Sequence, residues 1–337
     1  MTPTSSMPAG VGTGIGSMPG TDPREAVAVM AGETGLAFLP ELPARGVGAD
    51  LIGRTGALLI DIPLDHVHRA YRLTARPTSV TRRARDLLRW DLDALEERWE
   101  RAGAAGDGRA VKVQACGPWT FAAHAELRGG HRIVRDAGAV RDVAESLAYG
   151  LRDHVDDVRR RTGASVVVQL DEPSVGSVLD GAVTPLTRLD PIAPVPAPDV
   201  AELLASTAAI IGAPTVVHSC AAPRWELVRL LPDLVAGVDL SLISDGRDLD
   251  ALGEYLDAGR VLVAGVIPVD AGTSRGEPDA LVDDAAGRLA GLVDRIGLPR
   301  SVLTGQVTVA PACGLAGVTP AQAALVLRVC STVAERL

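Results

Sequence analysis

The run Val216-Val217-His218-Ser219-Cys220 places an imidazole and a thiol two residues apart, at the end of an apolar, β-branched stretch. Pro311-Ala312-Cys313-Gly314 supplies a second thiol after another such stretch. Two thiolates and an imidazole suit Zn²⁺, and three protein ligands leave one position of a tetrahedral ion open. A substrate thiol bound there loses its proton and becomes a nucleophile held in place. The plainer alternative makes Cys220 and Cys313 buried core cysteines and His218 a satisfied strand-end histidine.

Chemistry of this kind needs strands that deliver those residues to one place. Apolar runs recur at Val11–Gly16, Leu36–Leu39, Val111–Ala115, Val166–Leu170, Thr215–Val217, Val238–Ile243, Val261–Ile267 and Val302–Val309. A ninth, Leu58–Asp61, is followed by Pro63 and reads as an irregular hydrophobic insertion. Helical spacing appears between the runs, over Thr81–Arg101, Asp136–Arg161, Asp199–Ile211, Pro223–Leu231, Pro278–Ile296 and Pro320–Leu337. Strand and helix alternate, so the expected fold is α/β, a (β/α)₈ TIM barrel formed by residues 11–337 as a single domain. The Pro/Ser/Thr-rich residues 1–10 read as a disordered lead-in, and proline-dense Pro185–Pro198 as a long loop.

Barrel enzymes keep their chemistry at the carboxyl ends of the strands. On the register above, that face collects Gly16-Ser17, Glu41, Cys116-Gly117-Pro118, Asp171-Glu172-Pro173, His218-Ser219-Cys220, Ser244-Asp245, Pro268–Asp270 and Cys313. Glu172 reads as a helix cap. Glu41 and Asp171 suit the ammonium group of a zwitterionic substrate.

Composition bounds the possibilities. With 337 residues, 47% of them hydrophobic, the chain can bury a large core. Its net charge of -9 and its single lysine, Lys112, leave no basic cluster interleaved with aromatics, which argues against nucleic acid and against an anionic membrane surface as partners. No apolar run approaches a membrane span, and no secretion signal precedes the first strand. Four scattered cysteines, Cys116, Cys220, Cys313 and Cys330, fit a reduced, cytoplasmic setting better than a disulfide framework.

The ordered set Gly14-Ile15-Gly16-Ser17-Met18-Pro19-Gly20-Thr21, Cys116-Gly117-Pro118-Trp119-Thr120, Gln169-Leu170-Asp171-Glu172-Pro173, His218-Ser219-Cys220 and Pro311-Ala312-Cys313-Gly314-Leu315 resembles the carboxyl-terminal catalytic barrel of cobalamin-independent methionine synthase. The resemblance runs from about Gly12 to the end of the chain. It implies a zinc S-methyltransferase that methylates homocysteine to methionine. Zn²⁺ would sit on His218, Cys220 and Cys313, the carboxylate on Ile15, Gly16 and Ser17, and the ammonium between Glu41 and Asp171.

Three departures from that family stand out. The additional amino-terminal barrel that helps to hold polyglutamylated methylfolate has no counterpart here. The family's glutamate zinc ligand is unmatched, with Asp245 the nearest carboxylate, or Asp239 if the strand is displaced. The histidine that assists the folate leaving group is missing from Pro268-Val269-Asp270-Ala271-Gly272-Thr273. An amine leaves methylfolate poorly unless protonated, whereas a cobalt(I) corrinoid needs no proton. The methyl donor is therefore open between methyltetrahydrofolate and methylcobalamin, the latter carried on a corrinoid protein. One rival is a related zinc enzyme alkylating another thiol such as coenzyme M, with Arg45 and Arg275 as cationic contacts. The other is a non-catalytic barrel of the same family.

Overall fold

The computed structural model describes residues 7–104, 108–187, 191–243, 246–269 and 278–337. The strands are β1 (Ala37–Phe38), β2 (Leu64–Val67), β3 (Ala70–Leu73), β4 (Ala110–Cys116), β5 (Ser165–Asp171), β6 (Thr215–Ser219), β7 (Val235–Asp239), β8 (Leu262–Ile267) and β9 (Val307–Pro311). The helices are α1 (Pro23–Glu33), α2 (Leu51–Leu58), α3 (Ser79–Arg101), α4 (Pro118–His124), α5 (Ala137–Thr162), α6 (Val175–Leu179), α7 (Ala197–Ile211), α8 (Trp225–Arg229), α9 (Gly246–Asp257), α10 (Pro278–Ile296), α11 (Ser301–Gln306) and α12 (Pro320–Arg336).

Seven strands form one parallel sheet in the order β1-β4-β5-β6-β7-β8-β9, and it curls so that helices cover its outer side. The pair β2-β3 is a separate antiparallel hairpin. Its two turn residues, His68 and Arg69, take φ of 48° and 75°, as a tight hairpin turn requires.

The long helices form where apolar spacing calls for them. On α3 the buried stripe includes Leu87, Leu88, Leu92 and Leu95. Asp136 caps α5 by accepting from the Gly138 and Ala139 amides, and Thr319 and Gln322 close a capping box on α12. Valines facing outward from β4 and β5 join the large core beneath these helices, whereas Ile15, Leu36, Val167, Val216, Val263 and Ala310 make a small second core inside the curl. The amino-terminal segment beside β9 helps to seal that inner core, since buried Met7 packs in it and Thr308 Oγ1 donates to Pro8 O. Of the lead-in expected over 1–10, therefore, Met7 onward is packed.

Several expected boundaries shift. Val11–Gly16 is not a regular strand of the sheet: it pairs through the isolated bridge of Gly12 with Val309, and it lies so close to the last helix that a Cβ on Gly12 would fall 2.5 Å from the Ser331 nitrogen. The segment nevertheless bonds to both edges. Gly10 N donates to Val307 O at 2.8 Å and Thr13 N to Val309 O at 2.9 Å, while Leu36 N donates to Gly12 O at 2.9 Å and Glu41 N to Gly16 O at 3.0 Å. The strand expected over Val238–Ile243 lies earlier, at β7, and a 3₁₀ turn over Leu240–Leu242 follows it. The run Val302–Val309 divides into α11 and β9. The insertion at Leu58–Asp61 begins on the last residue of α2.

Candidate functional site

His218 lies near the end of β6 and is 4% exposed. Gly237 on β7 makes room for it, since a Cβ there would sit 3.2 Å from the His218 Cβ. Its Nδ1 is 2.7 Å from Asp171 Oδ1 at the end of β5, the partner residue in parallel register. A carboxylate only accepts, so in the neutral ring this bond places the proton on Nδ1 and leaves a lone pair on Nε2.

Cys220 follows β6 and Cys313 follows β9, on strands that are not neighbours in the sheet. Both are half-buried and unoxidised. Each thiol is the main influence on the other. Cys220 draws the Cys313 thiol down to about 6, with the Gly314 N–H and the nearby His218 assisting against burial. Cys313, followed by burial, pushes the Cys220 thiol up.

A second wall stands beside them. Met18 N donates to Glu41 O at 2.8 Å, which together with the Gly16–Glu41 bond lays the Gly16–Met18 turn along Glu41. A Cβ on Gly16 would fall 2.7 Å from Gln114 Cγ, so the turn passes close to the sheet interior. Leu315 N donates to Ser17 O at 2.8 Å, bringing the turn against the Cys313-Gly314 corner.

Glu41 is 5% exposed, and its Oε1 has no hydrogen-bond partner among the described residues. Burial pushes its carboxyl up to about 7, opposed by Arg54, whose Nε is 3.6 Å away, and reinforced by Asp171. Arg54 also pairs with buried Asp91, which Arg45 Nη2 holds at 2.8 Å.

The eight residues expected to bind substrate or metal, apart from Asp245, thus form one connected group: Ile15, Gly16, Ser17, Glu41, Asp171, His218, Cys220 and Cys313. Asp245, Asp270 and Arg275 lie outside the described residues. Asp239, which ends β7, uses Oδ1 to accept from Ser241 N and Oγ, as a turn cap does. Glu172 is a cap too, although for α4: it accepts from Trp119 N at 2.9 Å and from Thr120 N and Oγ1 at 2.7 Å. Cys116 is fully buried, its N–H donating to Thr55 Oγ1 at 2.8 Å, and Cys330 is buried in α12.

The residues suit a soft cation in kind, with two thiols and an imidazole lone pair on one side of the group. Among the described residues, however, no three His, Cys, Asp or Glu side chains converge closely enough to hold a metal as they stand.

Sequence reasoning passed over a polar layer inside the curl. Lys112, Gln114 and Gln169 project between the two walls, and Gln114 pairs in register with Gln169. The available signal was a period-2 polar interruption of valine runs, Val111-Lys112-Val113-Gln114 and Val168-Gln169, which an ordinary barrel core lacks.

The curled parallel sheet and its strand-end constellation define an α/β protein whose candidate site residues gather at one rim. The chain belongs to the family described as "Cobalamin-independent synthase, Catalytic domain", whose model matches residues 11–336. Among solved structures it is similar to a methyltransferase from Methanosarcina mazei, at 14% identity and a TM-score of 0.53, over 98% of this chain and 94% of that one. It is likewise similar to a B12-independent methionine synthase from Shewanella sp. W3-18-1 in complex with selenomethionine, at 12% identity and a TM-score of 0.53, over 98% and 95% of the two chains. Among curated proteins nothing matches this chain. Among the described residues, no helix is long and apolar enough to cross a membrane.

Proposed function

We propose that this protein methylates the thiol of homocysteine, giving methionine, at a Zn²⁺ held by His218, Cys220 and Cys313. The observation that carries this reading is the meeting of the Cys220 and Cys313 thiols beside His218, from non-adjacent strands of a chain in the synthase family. Zn²⁺ on these ligands, with a position open, would supply acidification of the incoming thiol, so that its sulfur is a thiolate at neutral pH.

The chain's own residues do the rest. Asp171 holds the Nδ1 proton of His218 and so presents Nε2 as the ligand atom. The Ile15–Ser17 turn offers backbone and hydroxyl donors to the substrate carboxylate. Glu41, whose Oε1 accepts no hydrogen bond among the described residues, and Asp171 accept from the ammonium. Gripping both ends of a short substrate aims its sulfur along one line, which lowers the entropic part of the barrier. The segment Gly10–Met18, bonded to both edges of the sheet, supports reading the curl as a closed (β/α)₈ barrel with that segment as its eighth stave. Free thiols suit a reduced, cytoplasmic setting.

We take the methyl donor to be a methylcorrinoid on a carrier protein. The segment from Pro268 to Thr273 has no histidine to protonate a folate amine, and a departing cobalt(I) corrinoid requires none. A sulfonate thiol such as coenzyme M is a poorer fit, because Arg45 is engaged with buried Asp91. The test is a methyl-transfer assay offering homocysteine with methylcobalamin or with methyltetrahydrofolate. Methionine formed from methylcobalamin supports the proposal. Brisk turnover on methylfolate alone contradicts the donor, and no methylation from either, in a protein that binds no zinc, leaves a non-catalytic member of the family.

A further inference from the structure

Gln114 and Gln169 stand side by side in register on β4 and β5, within the polar layer inside the curl, yet they are used differently. Gln169 is fully committed: its Oε1 accepts from Lys112 Nζ at 2.7 Å, and its Nε2 donates to Ile15 O at 2.9 Å and to Asp171 Oδ1 at 2.8 Å. Gln114 is half committed. Its Nε2 donates to Leu39 O, while its Oε1 accepts no hydrogen bond among the described residues, although the residue is only 3% exposed. The bond to Leu39 fixes which end of the amide is which, because a turned amide would set its oxygen against a carbonyl oxygen. Leaving a buried acceptor idle is costly and uncommon, so such an atom marks a place for a donor that the chain itself does not supply.

The surroundings of the amide say which donor that is. Gln114 passes under Gly16, the middle residue of the turn assigned to the substrate carboxylate: a Cβ on Gly16 would fall 2.7 Å from Gln114 Cγ and 2.9 Å from its Cδ. Leu39, which holds the Gln114 nitrogen, lies two residues before Glu41 on the same segment. Burial is the main influence raising the Glu41 carboxyl, and Arg54 and then Gln114 draw it back, so the amide stands close to that carboxylate. Glu41 Oε1 is likewise buried and accepts no hydrogen bond among the described residues. Asp171 has its Oδ1 occupied by Gln169 and His218, which leaves its second oxygen for a ligand. A primary ammonium brings three N–H donors and no acceptor. Glu41 and Asp171 receive two of them, and the third needs an oxygen that adds no further negative charge to a pocket already holding two carboxylates.

The geometry points to Gln114 as a further substrate-binding residue, whose Oε1 takes the third N–H of the substrate ammonium beside Glu41 and Asp171. The assignment rests on the homocysteine reading above and sharpens it. A socket of three acceptors selects a thiol acid with a free amino group, and it rejects one whose nitrogen is absent or acylated, since buried oxygens would then be left without donors. An amide that only braced the turn would support every ligand of the turn equally.

The test is calorimetric titration of the full chain, supplied with Zn²⁺, with homocysteine and with its desamino analogue, the same thiol acid carrying hydrogen in place of the ammonium. Wild type should prefer homocysteine. In Gln114→Leu, and in Gln114→Met with its longer side chain, homocysteine should bind roughly 10- to 100-fold more weakly, the usual loss for one hydrogen bond to a charged group, while the analogue binds as it does to wild type. Thermal melts establish which variants fold, and if Gln114→Leu does not, Gln114→Met decides. Unchanged homocysteine affinity in a folded variant, or an equal loss for both ligands, overturns the proposal. A wild type that binds the analogue as tightly as homocysteine also overturns it, yet leaves the zinc-thiol reading standing, and a wild type that binds neither rejects both. A loss confined to homocysteine, in a protein that forms no methionine from either methyl donor, would uphold the socket and reject the methyl-transfer reading.

Discussion

Gly314→Ala tests how closely the substrate turn and the Cys313 corner depend on each other. A Cβ built on Gly314 falls well inside contact distance of Ser17 Oγ, 3.3 Å from Ser17 Cβ and 3.8 Å from Ser17 N. Gly314 does not use positive φ, so alanine is allowed by the backbone. The Leu315–Ser17 backbone bond also survives. The hydroxyl alone must leave, by rotation about χ1, at a stability cost of about 0.5–1.5 kcal/mol. On the role proposed for Ser17, what is lost is its hydrogen bond to the substrate carboxylate, worth about 1.5–3 kcal/mol for a charged acceptor. At 1.4 kcal/mol per tenfold, homocysteine binding should weaken roughly 10- to 100-fold. Calorimetric titration with homocysteine measures this, with Ser17→Ala and the double variant completing a cycle. Ser17→Ala should lose as much as Gly314→Ala, and the double variant no more than either. Unchanged affinity in Gly314→Ala, or losses that add, would refute the assignment of Ser17.

Arg54→Met removes the cation beside Glu41 and one of the two that hold buried Asp91. Breaking a buried pair in this way costs roughly 3–5 kcal/mol, which a denaturant melt should show. Gly150→Ala sets a methyl 2.8 Å from the Leu58 carbonyl carbon, with its oxygen nearer still, where α5 meets the end of α2. Overpacking should destabilise the fold by about 1–3 kcal/mol, and a melt at the wild-type midpoint would contradict that contact. Burial raises Glu41 and Glu172 from 4.5 to about 7, so the folded chain binds more protons than the unfolded one across that window, and stability should fall as pH rises through it. Lys112, lowered from 10.5 to about 8, has the opposite effect: the unfolded chain binds more protons between those values, and stability should rise with pH there. Melts across the pH range check both limbs, and Lys112→Met should abolish the upper one. The KM for homocysteine should also rise as pH drops below about 7, where Glu41 loses its charge.

Much of this architecture is visible in the residues alone, where one physical signal dominates. Helix α3 announces itself because Leu87, Leu88, Leu92 and Leu95 repeat over many turns, and His218 stands at a strand end because three β-branched or apolar residues precede it. Shorter signals mislead. Ala236 and Gly237 dilute the apolar character of β7, so the richer Val238–Ile243 run draws the strand forward into what is a 3₁₀ turn. Val302 and Leu303 look like the start of a strand, yet they belong to the helix that delivers the chain to β9. The rim residues could be collected because strand ends share a face whatever the detailed pairing. The interior layer could not: whether Lys112, Gln114 and Gln169 point inward depends on register, and a single residue of slip would turn them into the helical shell.

The central claim is that His218, Cys220 and Cys313 hold one cation with a position left for the substrate sulfur. Cobalt(II) titration followed by addition of homocysteine tests it most directly, because thiolate-to-cobalt absorption reports the number of bound sulfurs. The account predicts one equivalent of cobalt, charge-transfer absorption lost in part in Cys220→Ser and in Cys313→Ser, and a rise of roughly half when the two protein sulfurs are joined by a third from homocysteine. Cobalt that binds without sulfur-dependent absorption, or a spectrum indifferent to Cys313→Ser and to homocysteine, would contradict it.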